Sequence, residues 1–103
     1  MKTSEIRKLP MSEKVRLSEE LRAATLLIQE LNGEMEASDR VLCRARGLEE
    51  IGAIALRTAQ KIDACARSLE GKAAVPSATL RSLAERSGAY RALSKACREF
   101  GRV

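Results

Sequence analysis

Apolar residues recur along this chain at intervals of three and four, which is the period of an α-helix. Ala, Leu, Arg, Glu, Lys and Ser dominate the composition, and no segment alternates apolar and polar residues as a strand does. The first predicted helix covers 12–31, between Pro10 and the Asn32-Gly33 pair. Its apolar seam consists of Leu17, Leu21, Ala24, Ile28 and Leu31.

The second predicted helix, 38–70, carries two rows with heptad spacing. The first row holds only small residues, so another helix backbone can approach closely, and we expect tight helix packing there. The run from 51 to 56 is apolar on all sides, so we expect it to be enclosed on more than one face. The rows are Ala45, Gly52, Ala59 and Ala66, followed three residues later in each heptad by Leu48, Ala55, Ile62 and Leu69.

The junction between these helices has more than one interpretation. Asn32-Gly33 has the chemistry of a helix C-terminus, and Ser38 or Asp39 that of an N-cap, so we predict a turn at Gly33. One alternative is a single rod over 12–70 that forms an extended coiled-coil dimer. Another is a break near Gly47.

A third helix is predicted over 77–100, after the Gly71–Pro76 connection. Leu80 and Leu83 point about 115° away from the later apolar residues at about 100° per residue. A turn at Ser87-Gly88 would reconcile the two directions. The order of residues over 80–93 then resembles a helix-turn-helix, with an Ala in the first helix and a Gly in the turn. A kinked or continuous bundle helix is the alternative, and it is the interpretation that we favour.

The fold prediction is therefore all-α: a small three-helix antiparallel bundle with a long central helix, or four helices if the last segment divides. Residues 1–10 form an N-terminal arm, and 1–103 is a single helical domain. The apolar surface of the second helix exceeds what two partner helices cover, so we expect self-association, as a dimer.

The excess positive charge lies in the last third of the chain. The net charge is +5, and residues 72–103 hold seven bases and two acids, so the remainder sums to zero. Bases spaced 4, 3 and 4 form one stripe of the third helix, and an apolar stripe on the opposite side is expected to be buried. The candidate binding residues are Arg91, Lys95, Arg98 and Arg102, with Arg81 as an outlier; the apolar stripe is Tyr90, Leu93, Cys97 and Phe100.

The composition also excludes several kinds of chemistry. The chain has no His, no phosphate-binding glycine loop and no Cys-x-x-Cys, so we predict no enzyme activity, no metal and no cofactor. The three cysteines lie in apolar stretches and are expected to be buried thiols of a reducing, cytoplasmic compartment. No apolar stretch is long enough to cross a bilayer, so no membrane partner is expected.

These observations favour a non-enzymatic interaction protein that regulates or inhibits a macromolecular partner by covering its surface. Its basic C-terminal helix would face an acidic or nucleic-acid-handling protein. The alternative is a small dimeric DNA-binding regulator that uses a degenerate helix-turn-helix over 80–102. A small anionic ligand, such as a nucleotide held by Arg residues, is the third hypothesis.

Overall fold

A computed structural model describes residues 11–101, and this part of the chain forms three helices and no strand. Helix α1 spans Met11–Arg44, α2 spans Leu48–Leu69 and α3 spans Ser77–Gly101. The all-α prediction is confirmed, and the helices pack as a small bundle. The predicted arm 1–10 and Arg102 lie outside the described residues.

The turn predicted at Gly33 is wrong, because α1 continues through it to Arg44. Leu31 and Met35 are both buried on one face of α1, and an unbroken helix is what keeps them on that face. Gly33 lies on the opposite, exposed face, and a Cβ atom there would have no neighbour within 4 Å. Burial of the seam offsets the roughly 1 kcal/mol by which Gly weakens a helix relative to Ala. The N-cap predicted at Ser38 or Asp39 is wrong for the same reason.

The chain reverses instead at Ala45–Gly47, so the single rod over 12–70 is also wrong. Gly47 is the N-cap of α2 in an extended conformation, with φ −137° and ψ 152°. Its carbonyl oxygen accepts the first helical hydrogen bond from the N–H of Ile51 at 3.0 Å. The side chain of Glu50 accepts a hydrogen bond from the N–H of Arg46 at 3.4 Å. The long helix is thus the first one and not the central one.

The connection from α2 to α3 runs beside the N-terminal half of α1. Gly71 adopts a φ of +78°, which a residue with a side chain disfavours. The N–H of Ala74 then donates to the Glu20 carboxylate of α1 at 3.1 Å. This hydrogen bond joins the α2–α3 loop to α1 near the buried Leu17.

All three helices contribute side chains to one core around the middle of α1. Ile62 and Leu69 of α2 are fully buried, and half-buried residues such as Ile28, Leu80 and Tyr90 pack around them. The helices extend beyond this core, and the molecule measures 61 × 20 × 16 Å. The buried members of the core cluster are Ala24, Leu31, Met35, Ile62, Leu69 and Leu83.

Candidate functional site

The contact between α2 and α3 is made mainly by small side chains. Gly52 of α2 is buried, and a Cβ atom there would lie 3.3 Å from the Cβ of Cys97 and 3.7 Å from the carbonyl oxygen of Ser94. At the other end of the contact, the hydroxyl of Ser87 lies 3.5 Å from the carbonyl oxygen of Ala59. Residue numbers rise along α2 as they fall along α3, so the two helices are antiparallel. Their backbones approach closely because nothing larger than Cys or Ser separates them at these points.

The small-residue rows of the sequence map unevenly onto this contact. Five of their eight members are buried, namely Gly52, Ala55, Ala59, Ile62 and Leu69. Ala66 is half-buried against the core, and Ala45 lies in the α1–α2 connection. Leu48, the first residue of α2, is 45% exposed. Within the apolar run 51–56, Gly52 packs against α3, Ile54 shares a concave surface with Val41 of α1, and Ala53 is exposed.

Helix α3 turns a different face inward from the one that its bulky residues predict. Its buried residues are Leu83, Ser87, Ser94 and Cys97. Tyr90 is half-buried, whereas Leu93 is 38% and Phe100 is 70% exposed, so their predicted burial is wrong. The reason is the opposing surface: a row of Gly and Ala on α2 is best filled at short range by Ser and Cys.

A polar cluster crosses the α2–α3 contact between these small residues. The hydroxyl of Ser87 donates to Asp63 Oδ1 at 2.5 Å, and the guanidinium of Arg91 forms an ion pair with the same carboxylate. These partners hold the pKa of Asp63 below its ordinary value, first through the hydrogen bond from Ser87 and then through that from Arg91. Asp63 is therefore ionised near neutral pH and ties α3 to α2 in one register.

Because of this cluster, the members of the predicted cationic stripe differ in their availability to a partner. Arg91 is bound to Asp63 and serves the fold, although its side chain is still 48% exposed. Lys95 lies 4.0 Å from Glu99 in an exposed pair of the kind that contributes little. Arg81 and Arg98 are exposed, and Arg98 borders a groove between α2 and α3.

That groove, which we call the α2–α3 groove, is a concave surface with a volume of about 410 Å³. Gly52, Ser94 and Cys97 line its closely packed inner part, and Leu48 and Leu56 supply apolar walls. Glu49 and Arg98 place opposite charges on its rim. The full lining is Leu48, Glu49, Gly52, Ala53, Leu56, Ser94, Cys97, Arg98 and Gly101.

The turn that the alternative helix-turn-helix interpretation requires is absent, because α3 is continuous through Ser87-Gly88. Ser87 is buried in the contact with α2, and the Cβ position of Gly88 is open. A recognition helix that stands away from a first helix therefore does not exist over 80–101. The residues retain their charge but not the motif geometry.

Two features of the site escaped sequence reasoning. Asp63 and Ser87 are 24 residues apart, and no local pattern links them. A partial signal existed in the spacing of Ser87 and Arg91, because residues four apart share a helix face. Ala53 and Leu56 belong to the apolar run 51–56, but the sequence pattern does not predict that they line a groove.

The cysteines differ in exposure: Cys43 is exposed, Cys65 half-buried and Cys97 buried, so the prediction of three buried thiols is wrong for Cys43. Burial raises the pKa of the Cys65 thiol, which lowers its thiolate fraction at neutral pH. No group of three or more potential metal-binding side chains comes together within 11–101. None of the three described helices combines the length and apolar character needed to cross a membrane.

Comparison with known proteins adds no relative to this description. No protein-family model, no curated protein sequence and no solved structure matches the chain.

Proposed function

We propose that this chain is a non-enzymatic interaction protein that regulates a partner protein by binding one of its acidic, amphipathic segments in the α2–α3 groove. The observation that carries the proposal is an apolar groove whose α3 rim carries Arg98, on the helix with the excess of bases, opposite Glu49 on the α2 rim. Apolar grooves between helices are a recurrent site for amphipathic segments. In this groove, Leu48 and Leu56 would contact the apolar face of the segment, and Arg98 would contact its carboxylates.

The charge distribution supports an acidic partner over a basic one. Helix α3 carries five bases and two acids, whereas α1 carries seven acids and five bases. Lys95 and Arg81 extend the positive potential along α3, which would speed the encounter with an acidic segment. Arg91 adds less to this potential because Asp63 neutralises it.

Nothing in the described geometry favours duplex DNA over an acidic protein segment. The continuous α3 removes the turn on which the helix-turn-helix hypothesis depends. DNA therefore enters as an outcome of the test, recognisable because its affinity would fall by orders of magnitude between about 50 and 200 mM salt.

Fluorescence anisotropy with a labelled synthetic peptide of about 20 residues tests the proposal. The peptide has Leu or Phe at every third or fourth position and Glu between them; a second peptide carries Gln in place of Glu, and a third probe is labelled duplex DNA. We expect the acidic peptide to bind more tightly than either other probe. Arg98→Glu reverses the rim charge, and Ala53→Glu places a carboxylate in the groove. Each should weaken binding at least about tenfold, or 1.4 kcal/mol.

The matched controls lie on the outer face of α1. Arg22→Glu and Ala23→Glu make the same two changes at exposed helical positions far from the groove. They should leave peptide affinity within about twofold of the parent, since distant surface changes act weakly. Equal loss in the control variants, or tighter binding of DNA than of the acidic peptide, would contradict the proposal.

A further inference from the structure

The α2–α3 groove is shorter than an amphipathic segment of ordinary length. It extends along α2 from Leu48 to Leu56, which corresponds to about 12 Å at about 1.5 Å per helical residue. A helical segment of about 20 residues is about 30 Å long. A bound segment therefore continues beyond the groove, and the charges at the two ends of the groove determine what it meets there.

The α1–α2 turn lies at the Leu48 end of the groove and is rich in bases. Residues 40–47 contain three Arg and no acid. Arg44, in the last turn of α1, and Arg46, in the turn itself, are both exposed, and we call them the turn arginines. Because Arg46 precedes Leu48 by two residues, their Cα atoms are at most about 7 Å apart. Arg46 therefore borders this end of the groove, with Arg44 two residues before it.

The acids near this end do not cancel the bases. Glu49 lies on the α2 rim, and the Glu50 carboxylate accepts a hydrogen bond from the backbone N–H of Arg46 at 3.4 Å. Neither turn arginine forms an ion pair with an acid of residues 11–101. Together with Arg98, the turn arginines outnumber these two acids, so this end of the groove has a net positive charge.

The bases near the opposite end of the groove are paired or line another surface. Beyond Leu56, the next base on α3 is Arg91, which forms an ion pair with Asp63. Arg57 and Lys61 of α2 line a different concave surface, the one between α1 and α2. A segment with a run of carboxylates is therefore attracted to the Leu48 end.

We infer, on the basis of the proposed function of the groove, that the partner segment leaves the groove at the Leu48 end and carries a run of acidic residues there, which the turn arginines bind. A guanidinium group binds a carboxylate through two parallel hydrogen bonds, so each arginine can hold one acid of the run. A base in the last turn of α1 also interacts favourably with the helix dipole, which accounts for Arg44 without a partner. Arg46 lies outside both helices and is therefore the residue to test.

Fluorescence anisotropy with three labelled peptides of about 20 residues provides the test. Each peptide has the same amphipathic stretch of Leu and Glu at its centre. The reference peptide has Gln on both sides of this stretch, and the other two have Glu in place of Gln either before it or after it. At least one Glu-flanked peptide should bind the parent protein about threefold to tenfold more tightly than the reference peptide. This gain should vanish at about 1 M salt, where the Debye length is about 3 Å.

Charge reversal at single positions locates the gain. Arg46→Glu should abolish the gain from the Glu flank and leave the affinity for the reference peptide within about twofold of the parent. Arg98→Glu should weaken the binding of all three peptides, because Arg98 lines the groove itself. The matched control is Arg22→Glu, the same charge reversal at an exposed position in the N-terminal half of α1, and it should keep the gain.

A reference peptide that binds without any gain from a Glu flank overturns the inferred acidic run and leaves the groove proposal intact. A gain that persists in Arg46→Glu, or one that Arg22→Glu also abolishes, overturns the acidic run as well. Failure of the reference peptide itself to bind contradicts the groove proposal, and the acidic run with it.

Discussion

Helix α2 meets its two neighbours with different kinds of surface. The surface of α2 that faces α3 contains Gly52, Ala55 and Ala59, and the buried residues of α3 opposite them are Ser and Cys. Its contacts with α1 involve larger side chains, and both Leu31 and Met35 are buried in the shared core. A contact between small residues is close and tolerates little added volume, whereas a contact between large residues adjusts its rotamers more readily.

The two neighbours also differ in how their position is specified. Helix α3 is tied to α2 by the Asp63 carboxylate, which binds both Ser87 and Arg91. Helix α1 is joined to the other helices by apolar burial in the core and by hydrogen bonds that Glu20 and Asp39 accept. It also extends past the core and leaves Val15, Leu21 and Leu26 at least half exposed. The α2–α3 pair, which these contacts hold in one register, also carries the candidate groove.

Adding volume to the small-residue contact should have the largest effect on stability. In Gly52→Leu the new Cβ atom would already lie 3.3 Å from the Cβ of Cys97, and Ala59→Leu adds volume at a residue with no exposed surface. Each should lower the free energy of unfolding by about 1–3 kcal/mol in urea titrations. The control is Gly88→Leu on α3, whose Cβ position has no neighbour within 4 Å. If Gly52→Leu unfolds at the same urea concentration as the parent, the close approach of α2 to α3 is refuted.

An intermediate effect of opposite sign is expected on α1. Gly33→Ala adds a methyl group in open space within a continuous helix, so it should raise the free energy of unfolding by about 0.5–1 kcal/mol. At a helix C-cap with positive φ the same change would destabilise the protein. Thermal unfolding followed by circular dichroism measures the sign. A lower melting temperature for Gly33→Ala would show that α1 ends near Asn32 in solution.

The difference between Gly33 and Gly47 explains how far the sequence predicts the fold. The helical period identifies the helices, and the heptad rows of α2 contain most of its buried residues. Sequence reasoning places the turn at Gly33 and not at Gly47, because Asn before Gly is a more typical helix C-terminus than Arg before Gly. Burial in the core favours the continuous helix. Leu31 and Met35, on either side of Gly33 in the sequence, are both buried, and a continuous helix keeps them on the same face.

The candidate site was less predictable because its geometry depends on pairs of helices. The exposure of Lys95 and Arg98 follows from helix periodicity alone, and both residues are exposed. Their surroundings do not, because the inward face of α3 is selected by the small residues of α2. Periodicity favoured Leu93 and Phe100 as core, yet burying them would push α3 away from Gly52. The pairing of Asp63 with Ser87 is likewise set by the register of two helices.

The smallest effect concerns the link between α1 and α3 at alkaline pH. The Tyr90 hydroxyl donates to Asp39 Oδ1 at 2.7 Å, and burial, followed by this hydrogen bond, raises the pKa of Tyr90 to about 12. An unfolded tyrosine has a pKa of about 10. Because the folded pKa is the higher one, this stabilising contribution is complete below pH 10 and is lost as the pH rises toward 12.

Tyr90→Phe isolates that contribution, because it removes the titrating hydroxyl and keeps the ring against the core. Urea unfolding of both proteins at several alkaline pH values measures the difference between their free energies of unfolding. The difference should be constant from pH 8 to about 10 and should shrink above it, since lysine titration affects both proteins alike. The α2–α3 pair is linked through Asp63, which stays ionised throughout this range, so the loss falls on the α1 side. A difference that stays constant up to pH 12 would show that Tyr90 does not hold α1 and α3 together.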